Sequence, residues 1–402
     1  MTNRNYKFRL YPSRMQDADL NQTMGGCRWL YNHFLEQWQG KDKVPSRYDL
    51  QAQLPSLAKE HDFIEAIHSK TRQYVLYQLY SNLRALAQLK KKGHKVGRLR
   101  FKGKGRFNCF VYNQTGYKLI KTETRQQRLR LSKIGDIPIR LHRKVEGDIK
   151  QVYVKKTQTG KWYAIFSVEV EADKLQSKGR EIGIDLNIMN YLTDSEGNVV
   201  EHPHTLRKLQ KRLAREQRRM HKRKKGSQNR AKQRLRVART HEQINNQRDD
   251  FLHRLSTHYI NNYDFIAVED LSVKDMMQSS YNAINISDSA WSTFFSMLSY
   301  KAESAGRTFV KVDPKNTTQM CSRCGNHVYK QLWVRNHDCP SCGLQLDRDY
   351  NSAINILNKA RIEVGRVPSK LTPVETKPLL RNFGCGASFV EETGIQPIEV
   401  LA

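Results

Sequence analysis

Residues 5–11 (NYKFRLY) alternate polar and apolar positions and stop at Pro12, which predicts a strand. Ser13 can cap the helix that follows. That helix is expected to run to about Gly40, with Leu20, Met24, Cys27, Leu30, Tyr31, Phe34 and Leu35 on one stripe. A second helix is predicted over 63–92, placing Ile67, Val75, Leu76, Leu79, Leu83, Leu86 and Leu89 at helical spacing and ending in KKKGHKVG. From 107 to 172 the period becomes two. Candidate strands are 107–113, 117–121, 127–132, 138–142, 149–156 and 161–171, and their Gly- and Asn-containing turns suggest a small barrel or sandwich. The strand at 5–11 completes it, and the two helices form an insertion. Near residue 180 the pattern changes again. EIGIDLN is a short buried strand, YLTDSEGNVVEHP a hairpin, and 205–262 a long polar helical stretch broken near Gly226. DFIAVED (264–270) is another buried strand. A helix over 289–306, the strand TFVKVDP, a cysteine-rich module and a helix over 347–360 follow. From about 366 the chain has Pro, Gly and Ser without period and is expected to be weakly ordered.

Charge narrows the picture. The chain carries 70 Lys+Arg against 39 Asp+Glu, a formal net charge of +31 over 402 residues. A self-repelling surface of this kind is normally neutralised by a polyanion, and nucleic acid is the leading candidate. No apolar run reaches the roughly 18 residues that span a bilayer, so no membrane partner is expected. The polar, basic start Met1–Arg9 lacks the apolar core of a signal peptide, which points to the cytosol. Arg207–Arg239 concentrates the charge, with sixteen Lys/Arg and one acid, Glu216. Such a run is either a solvated face or a phosphate-binding surface, and Arg207, Lys211, Arg218, Arg219, Lys222 and Lys224 are its candidate nucleic-acid contacts. A second basic stretch, Lys90–Arg106, is followed by Phe107. Phe101 and Phe107 either stack on bases or belong to the core.

Two constellations bear chemistry. CSRCG and CPSCG, with residues 325–338 between Cys324 and Cys339, form the zinc-ribbon pattern: Cys321, Cys324, Cys339 and Cys342 supply four thiolates for a tetrahedral structural Zn²⁺. Cys27, Cys109 and Cys385 are scattered, as in a reducing compartment. With the shell full, His327 and His337 are expected to face solvent or nucleic acid. The second set is acidic. Asp185 interrupts a buried strand, Glu269 ends another, and Asp349 begins a helix for which Asp347 is a good N-cap. Singly, these read as a turn residue, a solvated acid and a helix-start residue. Jointly, in an RNase H-like order of elements, they converge on hard divalent ions such as Mg²⁺ or Mn²⁺, as a two-ion site for phosphodiester cleavage.

GIDLNIMNYLT, VEDLSVKDM, SDSAWSTFFSMLSYKAESAG, VDPKNTTQMCSRCG, CPSCG and DRDYNSAINIL occur in the order found in TnpB proteins of bacterial insertion sequences, relatives of the type V CRISPR effectors, and KFRLYPSRMQ with GGCRWLYNHFLEQW resembles the family's opening. The resemblance covers roughly 5–360. It implies an α+β multidomain chain: a wedge-like β-barrel (1–12 and 107–178), a helical recognition insertion (13–106), a RuvC (RNase H-like) nuclease domain (179–314 and 346–365) and an inserted zinc ribbon (315–345). It implies a guide RNA from the transposon end as cofactor and cleavage of target double-stranded DNA beside a short transposon-adjacent motif, with pairing reading the sequence. The family's metal-binding acids match Asp185, Glu269 and Asp349, the second Asp of DRD being the one in the site. Tyr48 and Gln73 occupy positions matching contacts to the adjacent motif. Asn187, Met189–Asn190 and Ser352 depart from the family's common residues without removing a carboxylate. The competing readings are a nuclease-inactive RNA-guided repressor, which loses metal carboxylates, a DNA-strand-transfer transposase, whose acids usually run Asp, Asp, Glu, and a plain zinc-ribbon DNA-binding protein, which leaves the buried Asp185 unexplained.

Overall fold

The computed structural model describes residues 2–38, 44–120, 127–171, 174–278, 283–331 and 333–365. The tail from 366 onward, expected to be weakly ordered, lies outside the described residues. The chain forms two compact units that divide near residue 171.

The first unit contains β1 (Thr2–Leu10), α1 (Arg14–Glu36), α2 (Arg47–Ala52), α3 (Leu54–Glu60), α4 (Asp62–Glu65), α5 (Ser69–Lys91), β2 (Cys109–Asn113), β3 (Tyr117–Ile120), β4 (Gln127–Leu131), β5 (Gly135–Arg140), β6 (Asp148–Lys156) and β7 (Trp162–Val170). The strands form one antiparallel sheet in the order β2-β6-β7-β1-β5-β4-β3. Its two edges, β2 and β3, are consecutive in the chain, and bonds from Tyr112 Oη to Ser132 O (2.9 Å) and from Tyr117 Oη to Ile149 O (2.6 Å) draw the sheet nearly closed. β7 shows why: Trp162, Ala164, Phe166, Val168 and Val170 all point inward, alternating with half-buried positions. Ser13 and Gln16 close a capping box at α1, whose Leu20, Cys27, Leu30, Tyr31 and Phe34 join the same core as the sheet. Asp17 fixes α1 to β7 by accepting from the Trp162 indole N–H at 2.6 Å.

Two expectations change here. The helix predicted over 63–92 is two, α4 and α5, because His68 adopts an extended backbone (φ −55°, ψ 135°) while the apolar spacing continues across the break. Leu89 is exposed, so the buried stripe of α5 stops at Leu79. The strand expected at 138–142 begins earlier, at Gly135.

The second unit contains β8 (Glu181–Leu186), β9 (Leu192–Asp194), β10 (Val199–Val200), α6 (Thr205–His221), α7 (Gln228–Asn262), β11 (Phe265–Glu269), α8 (Val273–Met276), α9 (Ala283–Ser289), α10 (Trp291–Ala305), β12 (Thr308–Val312), β13 (Asn336–Asp338), β14 (Gln345–Asp347) and α11 (Arg348–Glu363). The five-stranded sheet runs β10-β9-β8-β11-β12, antiparallel on the β8–β10 side and parallel from β8 through β12. Ile182, Ile184, Leu186, Ile266 and Val268 face α7 and α10, packing with Leu252, Leu255, Tyr259, Trp291, Phe294 and Leu298. Phe265 and Ala267 face the other way, against Ile356, Leu357 and Ala360 of α11. By strand alternation, Gly183, Asp185 and Glu269 share this second face.

Gly183 sets the approach of α11. A Cβ there would collide with the carbonyl of Ala353 and come within 2.9 Å of the Leu357 side chain, so only glycine lets the helix lie on the strand. Arg361 meets Glu181 at 2.7 Å. The helix therefore runs against the strand, with 361 near 181 and 353–357 near 183. Asp349, one turn before Ala353, is carried toward Asp185.

Candidate functional site

Asp185, Glu269 and Asp349 are all buried. β8 and β11 are in register at Ile184 and Val268, which puts Asp185 and Glu269 side by side at the carboxyl ends of parallel strands. Burial pushes the Asp185 carboxyl well above the usual carboxylate range, and Glu269 and then Asp349 add to the shift, opposed by the Arg348 guanidinium. Burial also raises Glu269, against the Thr317 hydroxyl and Lys359, which hold it down. Two buried acids with raised proton affinity, and the buried carboxylate of Asp349 acting on both, form a site asking for positive charge. Asp347 is the N-cap of α11: its Oδ1 accepts from the N–H of Asp349 (2.8 Å) and of Tyr350 (3.1 Å) and it belongs to the helix, not the acidic cluster.

The sequence did not disclose what surrounds these acids. Asp349 accepts from Arg335 Nη1 at 3.1 Å and from Arg348 Nε and Nη2 at 3.1 Å. Thr317 Oγ1 donates to Glu269 Oε1 at 2.5 Å. Arg348 lies beside its partner in sequence, but Arg335 and Thr317 arrive from the cysteine module and its approach, and only long-range folding reveals them. Two asparagines of α11 hold that approach in place. Asn351 Nδ2 donates to Met320 O at 2.8 Å, and Asn355 Nδ2 to Thr317 O at 2.9 Å and Met320 O at 2.7 Å, while Asn351 Oδ1 accepts from Ser322 N at 3.0 Å.

The sulfurs of Cys321, Cys324, Cys339 and Cys342 all lie within 4.8 Å of one another, and among the described residues no other group of potential ligands converges this closely. The Cys321–Cys342 and Cys324–Cys339 separations are each 3.6 Å. That is far beyond a disulfide and close to the roughly 3.8 Å between sulfurs bound tetrahedrally at about 2.3 Å from zinc. Burial works against ionisation of Cys339, yet N–H groups of Cys342 and Ser341 bring its thiol down to about 7. Burial raises Cys321, and, against the Leu344 N–H, burial and the other sulfurs push Cys342 up to about 12, so four thiolates this close need a cation among them. The donors therefore fit a structural zinc. His327 is exposed as expected, but His337 is wholly buried: β13 alternation turns it into the ribbon, where Nδ1 meets Lys330 Nζ.

The basic run forms a helical hairpin, α6 against α7, with a small core of its own at Leu213, Val237 and Ile244. Arg207, Lys211, Arg218, Arg219, Lys222 and Lys224 are all exposed. Glu216 is instead buried and accepts from the Gln233 amide, so the hairpin's single acid between 207 and 239 is withdrawn from a uniformly cationic surface. In the first unit, Tyr48 is 71% exposed at the start of α2 and Gln73 is half-buried on α5. Arg47 lies over both Tyr48 (4.9 Å) and Tyr77 (4.2 Å). Phe107 belongs to the core, and Phe101 is exposed.

The base of α6 is locked through a histidine. The His204 N–H donates to His202 Nδ1 (2.9 Å), which leaves Nε2 to donate to Ser289 Oγ (2.9 Å), while Asp288 accepts from Thr205 Oγ1 and Leu206 N. Burial, with His204 adding and Asp288 opposing, lowers His202 to about 4. The unfolded histidine takes a proton near 6.5, so this contribution is complete above that pH and is lost as pH falls toward 4. Thermal melts from pH 7 to pH 4.5 should show a falling midpoint for the native chain and a shallower fall for His202→Gln. Parallel slopes would remove His202 from the lock.

Residues 165–280 match a family described as "Probable transposase" (OrfB_IS605), and 291–356 match a "Cas12f1-like, TNB domain". Residues 1–41 match a "Helix-turn-helix domain", although their described part is one strand and one helix. A "Putative RNA-guided DNA endonuclease" of Streptomyces pristinaespiralis is 33% identical over 365 residues, covering 88% of each chain. A "Putative RNA-guided DNA endonuclease InsQ" of Escherichia coli K12 is 28% identical, covering 93% of this chain and 96% of its own. Among solved structures, a Cas12f1–sgRNA–target DNA complex shares the fold at TM-score 0.61 and 14% identity, over 89% of this chain and 99% of that one. Among the described residues no helix is long and apolar enough to cross a membrane.

Proposed function

The chain belongs to the TnpB family, and from that premise we propose that it is an RNA-guided, metal-dependent DNA endonuclease that cuts double-stranded DNA next to a short transposon-adjacent motif. The carrying observation is the buried trio Asp185, Glu269 and Asp349 on one face of the five-stranded sheet, each supplied by a different segment of the chain. The strand order, with its antiparallel and parallel halves, supports reading the second unit as a RuvC-like domain (179–314 and 346–365) with the ribbon (315–345) inserted. The first unit then supplies the wedge-like barrel (1–12 and 107–178) and the helical recognition insertion (13–106), with Tyr48 and Gln73 as the candidate contacts to the adjacent motif. The cytosol is the compartment this reading implies.

Asp185, Glu269 and Asp349 are the residues that would hold a pair of Mg²⁺ or Mn²⁺ ions, which when bound supply an activated water and charge stabilisation at the leaving oxygen. The chain's own contribution is to fix the ligands. Thr317 orients Glu269, and Arg335 and Arg348 orient Asp349 while keeping positive charge beside the scissile phosphate. Zinc, held by the four cysteines, is structural. A guide RNA derived from the transposon end and the target duplex are the partners that the net charge of +31 accommodates. The decisive experiment is to sequence the RNA that copurifies, rewrite its guide, and ask whether duplex cleavage follows the new guide in a divalent-ion-dependent way. Cleavage that ignores the guide, or no bound RNA, would overturn the reading.

The hairpin is the expected RNA-backbone surface. Replacing Arg218, Arg219, Lys222 and Lys224 together with Gln should weaken RNA binding and flatten its dependence on salt, by about 0.7–0.9 in log–log slope for each phosphate that the variant no longer neutralises. Affinity and slope equal to those of the native chain would leave the hairpin a solvated face.

A further inference from the structure

Of the five tryptophans, Trp162 and Trp291 are fully buried, Trp38 nearly so and Trp29 half-buried, whereas Trp333 is 76% exposed. No packing within the second unit explains so large a ring facing water. Its position is fixed nonetheless. Val334 O accepts from Arg348 Nη1 at 3.3 Å, Arg335 O accepts from Arg348 N at 2.6 Å, and Asn336 pairs with Asp347 across β13–β14. The residue just after Trp333 is thus tied to the start of the helix that carries Asp349. Two residues span at most about 7 Å, so the Trp333 backbone lies within about that distance of Arg335, whose guanidinium contacts Asp349 at 3.1 Å while remaining partly open to solvent. Tyr329 adds a second ring, also 76% exposed, whereas the Lys330 ammonium is turned inward to His337.

We propose that Trp333 is a stacking platform for single-stranded DNA, positioning the strand to be cut beside the carboxylate trio. This rests on the endonuclease reading above. A guided nuclease leaves sequence to base pairing, so its contact with the cut strand must accept any base. A π face does so, because every base can stack on it, while the partly open Arg335 guanidinium attracts the phosphates. Trp333 is a positioning residue in this scheme and touches no reacting atom.

The test uses the zinc-loaded, RNA-bound full chain with a short oligothymidylate as probe in magnesium-free buffer. Because the other tryptophans are shielded, stacking should quench the solvent-exposed component of intrinsic fluorescence. That quench should be absent from Trp333→Ala and from Trp333→Tyr, which both lack the reporting indole. In guided cleavage, Trp333→Ala should raise the target concentration for half-maximal rate about tenfold with a smaller change in maximal rate, unchanged zinc content and unchanged RNA content. Trp333→Tyr should restore most of this. An equal quench in native protein and Trp333→Ala, or an unchanged half-maximal concentration, overturns the proposal. Asp349→Ala separates the two readings: it should stop cleavage and leave the quench intact. A quench in a chain that never cuts would sustain the platform and sink the endonuclease.

Discussion

Asp185→Ala, Glu269→Ala and Asp349→Ala should each reduce guided duplex cleavage by at least about 10³-fold while leaving RNA-guided DNA binding close to native. Double variants should be hardly worse than single ones, since the three acids serve one site. Asp347→Ala should instead cost about 1 kcal/mol of helix capping and retain cleavage. A second measurement follows from the electrostatics. Asp185 is raised chiefly by burial and then by its acidic neighbours. Its folded form holds a proton more tightly than its unfolded form, so without divalent metal the site destabilises the fold increasingly as pH rises above the ordinary carboxylate range. Asp185→Asn should therefore raise the metal-free melting temperature at pH 7 by a few degrees and flatten that decline, while cleavage is lost. A variant that cuts normally would end the assignment. One that neither cuts nor gains stability would mean that the carboxylate is not under the strain its burial implies.

Cys321→Ser or Cys339→Ser should abolish zinc binding, from about one ion per chain to none, and reduce cleavage by about 10²-fold or more. The reach of this effect follows from the bonds around α11. Cys321 directly follows Met320, whose carbonyl is held by Asn351 and Asn355, and Arg335 lies between the two cysteine pairs and contacts Asp349. Loss of the ion would free both connections at once, so Thr317 and Arg335 would leave Glu269 and Asp349. Metal analysis combined with limited proteolysis across 315–345 checks this, and RNA binding serves as the control that should survive. Full cleavage by a zinc-free variant would show that the ribbon does not hold the acids in place.

Much of the site could be read along the chain. The apolar residues of GIDL and FIAVED identify buried strands, and the cost of a carboxylate inside the first singles out Asp185, while Glu269, at the end of the second, stands out only jointly with the other acids. Asp347 is legible as the cap because capping chemistry is local, whereas Asp349 looks like an ordinary helix-start residue and is picked out by the family resemblance. What escaped was long-range or locally silent. The extended backbone at His68 and the left-handed Ala290 that divides α9 from α10 leave the apolar period undisturbed. The inward turn of His337 depends on pairing within a three-residue strand. Arg335 and Thr317 look like any polar residues near a zinc knuckle until α11 draws the ribbon against the sheet.

The helix laid over Gly183 also has a consequence for the order in which the protein is made. α11 is the last described element to leave the ribosome, and it brings Asp349 and packs on the strand face bearing Asp185 and Glu269. The basic hairpin is complete roughly a hundred residues earlier, about 5–20 s at usual rates of synthesis. On the function proposed above, a nascent chain presents its cationic surface to RNA before it has a finished cutting centre. Any product terminated ahead of α11 would keep that surface and never acquire the blade.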